Sequence, residues 1–142
     1  MEMFATGALW YLAFLFSITF HEAAHALVGK WGGDRTAYEG GFATLNPQPH
    51  IKRSPFGMVI LPIMTFVSMQ YMMGMASVPY DPIWGERNPR KKALMSAAGP
   101  LANLSLFLLA FIGLRTGFFM AWWVQPSEFS FSQLAMVPDG ET

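Results

Sequence analysis

"SITFHEAAHALVG", residues 17–29, sets two histidines and a glutamate inside an otherwise apolar run. Burying three polar side chains is costly unless each has a partner or a task. Residues four apart share a helix face, so His21 and His25 present their imidazoles to one point, and Glu22 sits about 100° round from His21, at the rim of that point. This is the HExxH arrangement. Two neutral imidazoles supply two of the three protein ligands that a catalytic zinc usually takes, and the glutamate can accept a proton from the zinc-activated water that attacks a carbonyl.

Other readings of the pair are weaker. By chance HExxH occurs in about one in several hundred chains of this length. The histidines could be solvated and inert at the end of a membrane span. Haem ligation fails on geometry, because two histidines one turn apart cannot take opposite faces of one iron, and only His50 remains as a partner. Ionisable groups near membrane depth are by default functional.

Composition points to a membrane. Of 142 residues, 53% are hydrophobic and 13% charged, and nine basic residues balance nine acidic ones. Such a chain is one domain at most, and zero net charge gives no reason to expect nucleic acid as a partner. With no cysteine, disulfides, thiol catalysis and thiolate ligation are excluded, which leaves histidine and oxygen ligands for any metal. Glu2 stands where a signal peptide would be basic, and no small-residue cleavage site precedes the histidines, so the N-terminus is read as retained.

Three apolar segments organise the chain. Residues 4–29 make a helix of roughly 39 Å, enough to cross a bilayer, with Lys30 and Trp31 at a headgroup boundary and Gly32-Gly33 as the stop. The second, "FGMVILPIMTFVSMQYMMGM" (56–75), is uncharged but interrupted by Pro62 and Gly74, which suits a broken or re-entrant hairpin. The third is capped by Asn88 and Pro89, runs from Ala93 to Leu114, and should bend at Pro100 beside Asn103. Trp122 and Trp123 mark its far interface, so residues 1–124 form the membrane-embedded core and 125–142 a polar tail.

Between the first two segments, "TAYEGGFATLNPQPHI" (36–51) alternates β-prone residues around Gly40-Gly41, which predicts a short β-hairpin or an edge strand near Phe42 to Leu45. Such an edge could pair with an unwound substrate. Basic residues cluster at Lys30, Arg35, Lys52 and Arg53, and again at Arg87, Arg90, Lys91 and Lys92. Both loops belong on the cytoplasmic side, which favours re-entry of 56–75 over a full crossing. The predicted fold is an all-α, polytopic helical bundle with that one short β element.

At this point the chain resembles the site-2 proteases, zinc metalloproteases that cut within the membrane. "FHEAAHALVGKWGGD" looks like their zinc helix, "ATLNPQPHI" like the loop of their compact bacterial members, and "ASVPYDPIWGERNPRKKALMSAAGPLAN" like the passage into their next core helix. The resemblance implies Zn2+ as cofactor, His21 and His25 as its ligands, Glu22 as general base, and Asn103 near the substrate path. An ordinary interhelical hydrogen bond would serve Asn103 equally well. His50 and Asp81 match positions of the compact members, and loop structure is the simpler explanation of each. The family's third ligand is an aspartate in a later helix. No such apolar segment follows Leu114, and Asp139, in "MVPDGET", sits in the polar tail and reads as a coincidence. The chain therefore looks like the front portion of a longer protease, either cut short at Thr142 or naturally lacking its last helix.

The resulting expectation is a multi-pass protein of a bacterial inner membrane that hydrolyses peptide bonds of membrane-spanning protein substrates, with its active site open to the cytoplasmic side. The rival expectation is a non-catalytic relative that binds a partner or a metal and has no need of Glu22.

Overall fold

A computed structural model describes residues 2–124 of the chain. The chain forms two compact units, Met1–Asn103 and Leu104–Thr142. The predicted polar tail, 125–142, and Asp139 within it lie outside the described residues.

Unit one begins with α1 (Glu2–Gly32), 31 residues long and so roughly 46 Å. Only 6% of its most apolar window is buried in the protein, which rules out the core helix of a water-soluble domain. The helix ends where Gly33 turns left-handed at φ 107. There the Asp34 and Gly33 N–H groups donate to the Gly29 and Lys30 carbonyls at 2.9 and 3.1 Å, closing the last turn. Trp84 Nε1 donates to the Gly32 carbonyl at 3.3 Å.

Asp34 then works as a latch. One carboxylate oxygen accepts from the Thr36 N–H at 2.9 Å and the Thr36 hydroxyl at 2.6 Å. The other accepts from the Asp81 N–H at 2.9 Å. The latch joins the loop after α1 to the loop before α5 (Pro82–Arg87), so the two basic loops lie at the same end of unit one. Burial alone would raise the Asp34 pKa, but its three donors outweigh that and hold it below the usual carboxylate value. Asp81 caps α5 by accepting from the Ile83 N–H at 2.9 Å.

The expected β-hairpin is absent. Residues 36–51 form α2 (Thr36–Glu39), then turns and bends, then the start of α3 (Gln48–Arg53), and no strand occurs among the described residues. The latch nucleates α2 by satisfying the Thr36 N–H. Pro47 at the N-cap and Pro49 just inside α3 fix φ values suited to a helix start, where missing N–H groups cost nothing. Alternation of β-prone residues could not outweigh these local anchors.

The apolar segment at 56–75 doubles back on itself. A π-helical turn, Phe56–Ile60, leads into α4 (Leu61–Met69), and 14 apolar residues fall short of the roughly 20 that a span requires. Pro62 has no N–H to offer the Met58 carbonyl, which instead accepts from the Tyr11 hydroxyl of α1 at 3.0 Å. The returning chain then retraces the hairpin. Met73 N–H donates to Thr65 Oγ1 at 2.9 Å, Met75 N–H to the Gly57 carbonyl at 3.0 Å, Ser54 Oγ to the Met75 carbonyl at 3.2 Å, and Arg53 Nε to the Ser77 carbonyl at 2.9 Å. A Cβ on Gly74 would strike the Phe14 ring and the Gly57 carbonyl, so glycine is what allows this close return.

Helix α6 (Pro89–Phe119) begins with proline at its first position, and its portion in unit one packs antiparallel on α1. Unit two carries the rest of α6, whose Leu104, Phe107, Leu108, Leu109, Phe111 and Ile112 are all exposed. An exposed apolar row of this size suits lipid, not water. Trp123 closes over the helix end, 6.5 Å from the Phe118 ring centroid.

Two outcomes follow for stability. Asp34→Ala strips the Thr36 and Asp81 N–H groups of their acceptor and should cost about 3 kcal/mol, read as a lowered unfolding midpoint in detergent. His50, 2% exposed, packs against Phe42 with no partner for Nδ1. Burial lowers its pKa below the usual 6.5, against a smaller opposite effect of the Thr44 carbonyl. The unfolded chain therefore takes up this proton more readily than the folded one, and the stability present above pH 6.5 should be lost progressively as pH falls toward the lowered value. His50→Gln should flatten that loss in unfolding midpoints measured from pH 7.5 to 5.5, taken as about one unit either side of the histidine range.

Candidate metal centre

On α1 the four-residue spacing brings the imidazoles together as the sequence requires. The His21 and His25 ring centroids are 4.7 Å apart at 79°, and the ligand atoms of His21, Glu22 and His25 all lie within 4.8 Å of one another. Among the described residues, this group contains no further histidine, aspartate or glutamate.

The partner surface comes from α6. His25 Nδ1 lies 2.6 Å from the Met95 carbonyl, a group that can only accept, so His25 carries its hydrogen on Nδ1 and leaves Nε2 a free lone pair. His21 Nδ1 faces the Asn103 carboxamide at 3.1 Å, and Ser17 Oγ donates to Asn103 Oδ1 at 3.3 Å. Between them sits Gly99, buried, where an added Cβ would fall on His21 Nε2 and His25 Nε2. Only a glycine lets α6 come this close to both rings. The two imidazole nitrogens and the adjoining Glu22 carboxylate, all within 4.8 Å of one another, form a donor set that a zinc ion accepts.

Glu22 is 4% exposed, and its Oε2 has no hydrogen-bond partner. The Val78 N–H lies within hydrogen-bonding reach of the carboxyl group. A buried carboxylate oxygen without a partner is unusual, and Glu22 lines two cavities. A cavity of about 640 Å³ runs from Glu22 and His21 along α1 toward Phe14 and Trp10, with Asn103 in its wall. Trp10 is 11 positions before His21, or roughly 16 Å further along the helix. A second cavity of about 360 Å³ opens on the other side, bounded by His25, Ser77, Val78 and Ser96. The same cluster borders both.

Sequence reasoning singled out His21, Glu22, His25 and Asn103, and the structure gathers all four. His50 and Asp81 belong to loop packing. Missed were Gly99 as the close contact of both rings, Ser17, the Met95 carbonyl, and the returning segment 72–78 that walls both cavities. The first two carried one usable signal, since Gly99 and Asn103 lie four residues apart, as do Ser17, His21 and His25, while the Met95 carbonyl, a backbone group, carried none. The fourth carried none.

Comparison with known proteins supports the same class. The profile of Peptidase family M50 matches residues 9–136, so the chain belongs to this family, the site-2 proteases. It is 36% identical over 103 residues to YwhC of Bacillus subtilis (strain 168), a protein named as a candidate zinc metalloprotease. That match covers 72% of this chain and 42% of YwhC; the chain thus spans less than half the length of its relative. No solved structure matches it significantly. As an M50 member with two apolar helices of spanning length, Phe4–Gly32 and Pro89–Phe119, the chain is membrane-embedded.

One substitution tests the centre directly. Gly99→Ala sets a methyl group on the two Nε2 atoms, so zinc affinity of the full-length protein should fall at least about tenfold, with helix content unchanged. Chelator competition and circular dichroism measure the two quantities.

Proposed function

We propose that this chain carries the zinc ligands and general base of an intramembrane zinc metalloprotease that hydrolyses peptide bonds of membrane-spanning proteins. The observation that carries the proposal is the convergence of His21 Nε2, His25 Nε2 and the buried Glu22 carboxylate beside Gly99, midway between the two cavities. His21 and His25 would hold zinc. Zinc bound there supplies Lewis acidity, which activates a water and polarises the scissile carbonyl.

The chain's own residues account for the remaining steps. Glu22 Oε2, without a partner, takes the proton from the attacking water and returns it to the leaving amine nitrogen. The apolar cavity toward Trp10 receives substrate side chains from the bilayer, and Asn103 belongs to its wall. The cavity beside Ser77 and Ser96 admits water. Backbone groups of Met73, Met75 and Ser77 are engaged by the hairpin, and this two-residue period is that of an extended chain. This segment, Met72 to Ala76, lines the cavity and offers an unwound substrate the edge earlier sought at Phe42 to Leu45.

The topology follows the charges. Both basic loops lie on the cytoplasmic side, α1 and α6 cross a bacterial inner membrane, and the Phe56–Met69 hairpin enters and leaves on that same side. Residues 1–124 make up the embedded core.

Two variants of the full-length protein test the proposal. Glu22→Gln should keep zinc and fold but lose about 10²- to 10⁴-fold in cleavage rate of a co-expressed membrane substrate. His21→Ala should lose zinc and cleavage together. Full proteolysis by the Glu22→Gln protein would refute the assignment.

A further inference from the structure

Ser17, His21 and His25 recur every four residues on α1, and Met95, Gly99 and Asn103 do so on α6, so each trio forms one helix face. The two faces meet residue by residue. Asn103 touches Ser17 and His21, Gly99 lies against both Nε2 atoms, and Met95 holds His25. A histidine that binds a metal through Nε2 keeps its hydrogen on Nδ1 and needs an acceptor there. The Met95 carbonyl is that acceptor for His25, at 2.6 Å.

For His21, the polar group that faces Nδ1 among the described residues is the Asn103 carboxamide, 3.1 Å away. With its NH2 toward His21, as drawn, the carboxamide donates to Nδ1 and its Oδ1 accepts from Ser17. A half-turn exchanges NH2 and oxygen with almost no change in shape. In the turned form Oδ1 accepts from His21 Nδ1–H and Nδ2 donates to Ser17 Oγ. No partner is lost, because a serine hydroxyl both donates and accepts. Ser17 thus supports either orientation, which a merely apolar neighbour could not.

We infer that Asn103 is a positioning residue for the metal site: its carboxamide, backed by Ser17 Oγ, holds the His21 hydrogen on Nδ1 and leaves Nε2 to the cluster it forms with Glu22 and His25. The inference rests on the reading that His21 is a zinc ligand, and adds to Asn103 a role distinct from lining the substrate cavity.

Zinc affinity of the full-length protein, measured by competition with a chromogenic chelator, separates the two ideas. Asn103→Leu removes the acceptor and should weaken zinc about 10- to 100-fold. Asn103→Asp keeps an oxygen toward Nδ1 and should bind zinc no more weakly than wild type, a rescue that packing alone does not explain. Ser17→Ala unhooks the carboxamide and should weaken zinc about fivefold, the equivalent of one ordinary hydrogen bond. Wild-type affinity in Asn103→Leu, with zinc lost in His21→Ala, overturns the positioning role and spares the ligand assignment. Unchanged affinity in His21→Ala removes the ligand assignment and the inference with it. Should Asn103→Leu fail to fold, zinc-loaded wild type with ¹⁵N-labelled histidine decides: a hydrogen on His21 Nδ1 supports the inference, and coordination through Nδ1 overturns it.

Discussion

Two imidazoles one helical turn apart can serve one metal only if their second nitrogens are held, because a free ring turns about χ1 and χ2 and carries its hydrogen on either side. Helix α6 meets this constraint for both rings from a single face, with the Met95 carbonyl at one end and the Asn103 carboxamide at the other. Gly99 lies between them, where any side chain would collide with both Nε2 atoms. The register of α1 against α6 is therefore the feature on which the rest of the site depends. The polar network linking Trp84 to Gly32 and Asp34 to Asp81 secures that register at the basic end of unit one.

The hairpin at Phe56–Met69 solves a different problem. Backbone that doubles back within an apolar environment must satisfy its polar groups from within. Tyr11 takes the carbonyl that Pro62 leaves open, and Thr65, Gly57, Ser54 and Arg53 take up groups of the returning chain. The returning chain is thereby fixed beside Glu22, where it walls a larger, mainly apolar cavity and a smaller one of mixed polarity. A hydrolase working at membrane depth needs two such cavities, since its substrate and its water come from opposite environments.

How much of this was legible in the sequence depended on the scale of the signal. HExxH stood out because charged and imidazole groups are rare in an apolar helix, and the three apolar segments announced themselves by length and by absence of charge. The residues at 36–51 misled, because alternation of β-prone side chains is a weak preference, whereas Pro47, Pro49 and the Asp34 latch impose local geometry outright. Asn103 was noticed, but its contact with His21 requires knowing which residue of α1 lies opposite. The Met95 carbonyl is invisible to any reading of side chains, and Gly99 looks like a companion of Pro100 until two imidazole nitrogens are found against it. Long-range register, rather than local pattern, decided these cases.

The central claim is that the two Nε2 atoms beside Gly99 define a metal site whose imidazoles are held from α6. Anomalous diffraction at the zinc edge, on crystals of the zinc-loaded full-length protein, tests it most directly. The account predicts one peak beside Gly99, bound by Nε2 of both His21 and His25, with both Nδ1 atoms still facing Met95 and Asn103. A peak elsewhere, or zinc held through either Nδ1, would contradict it.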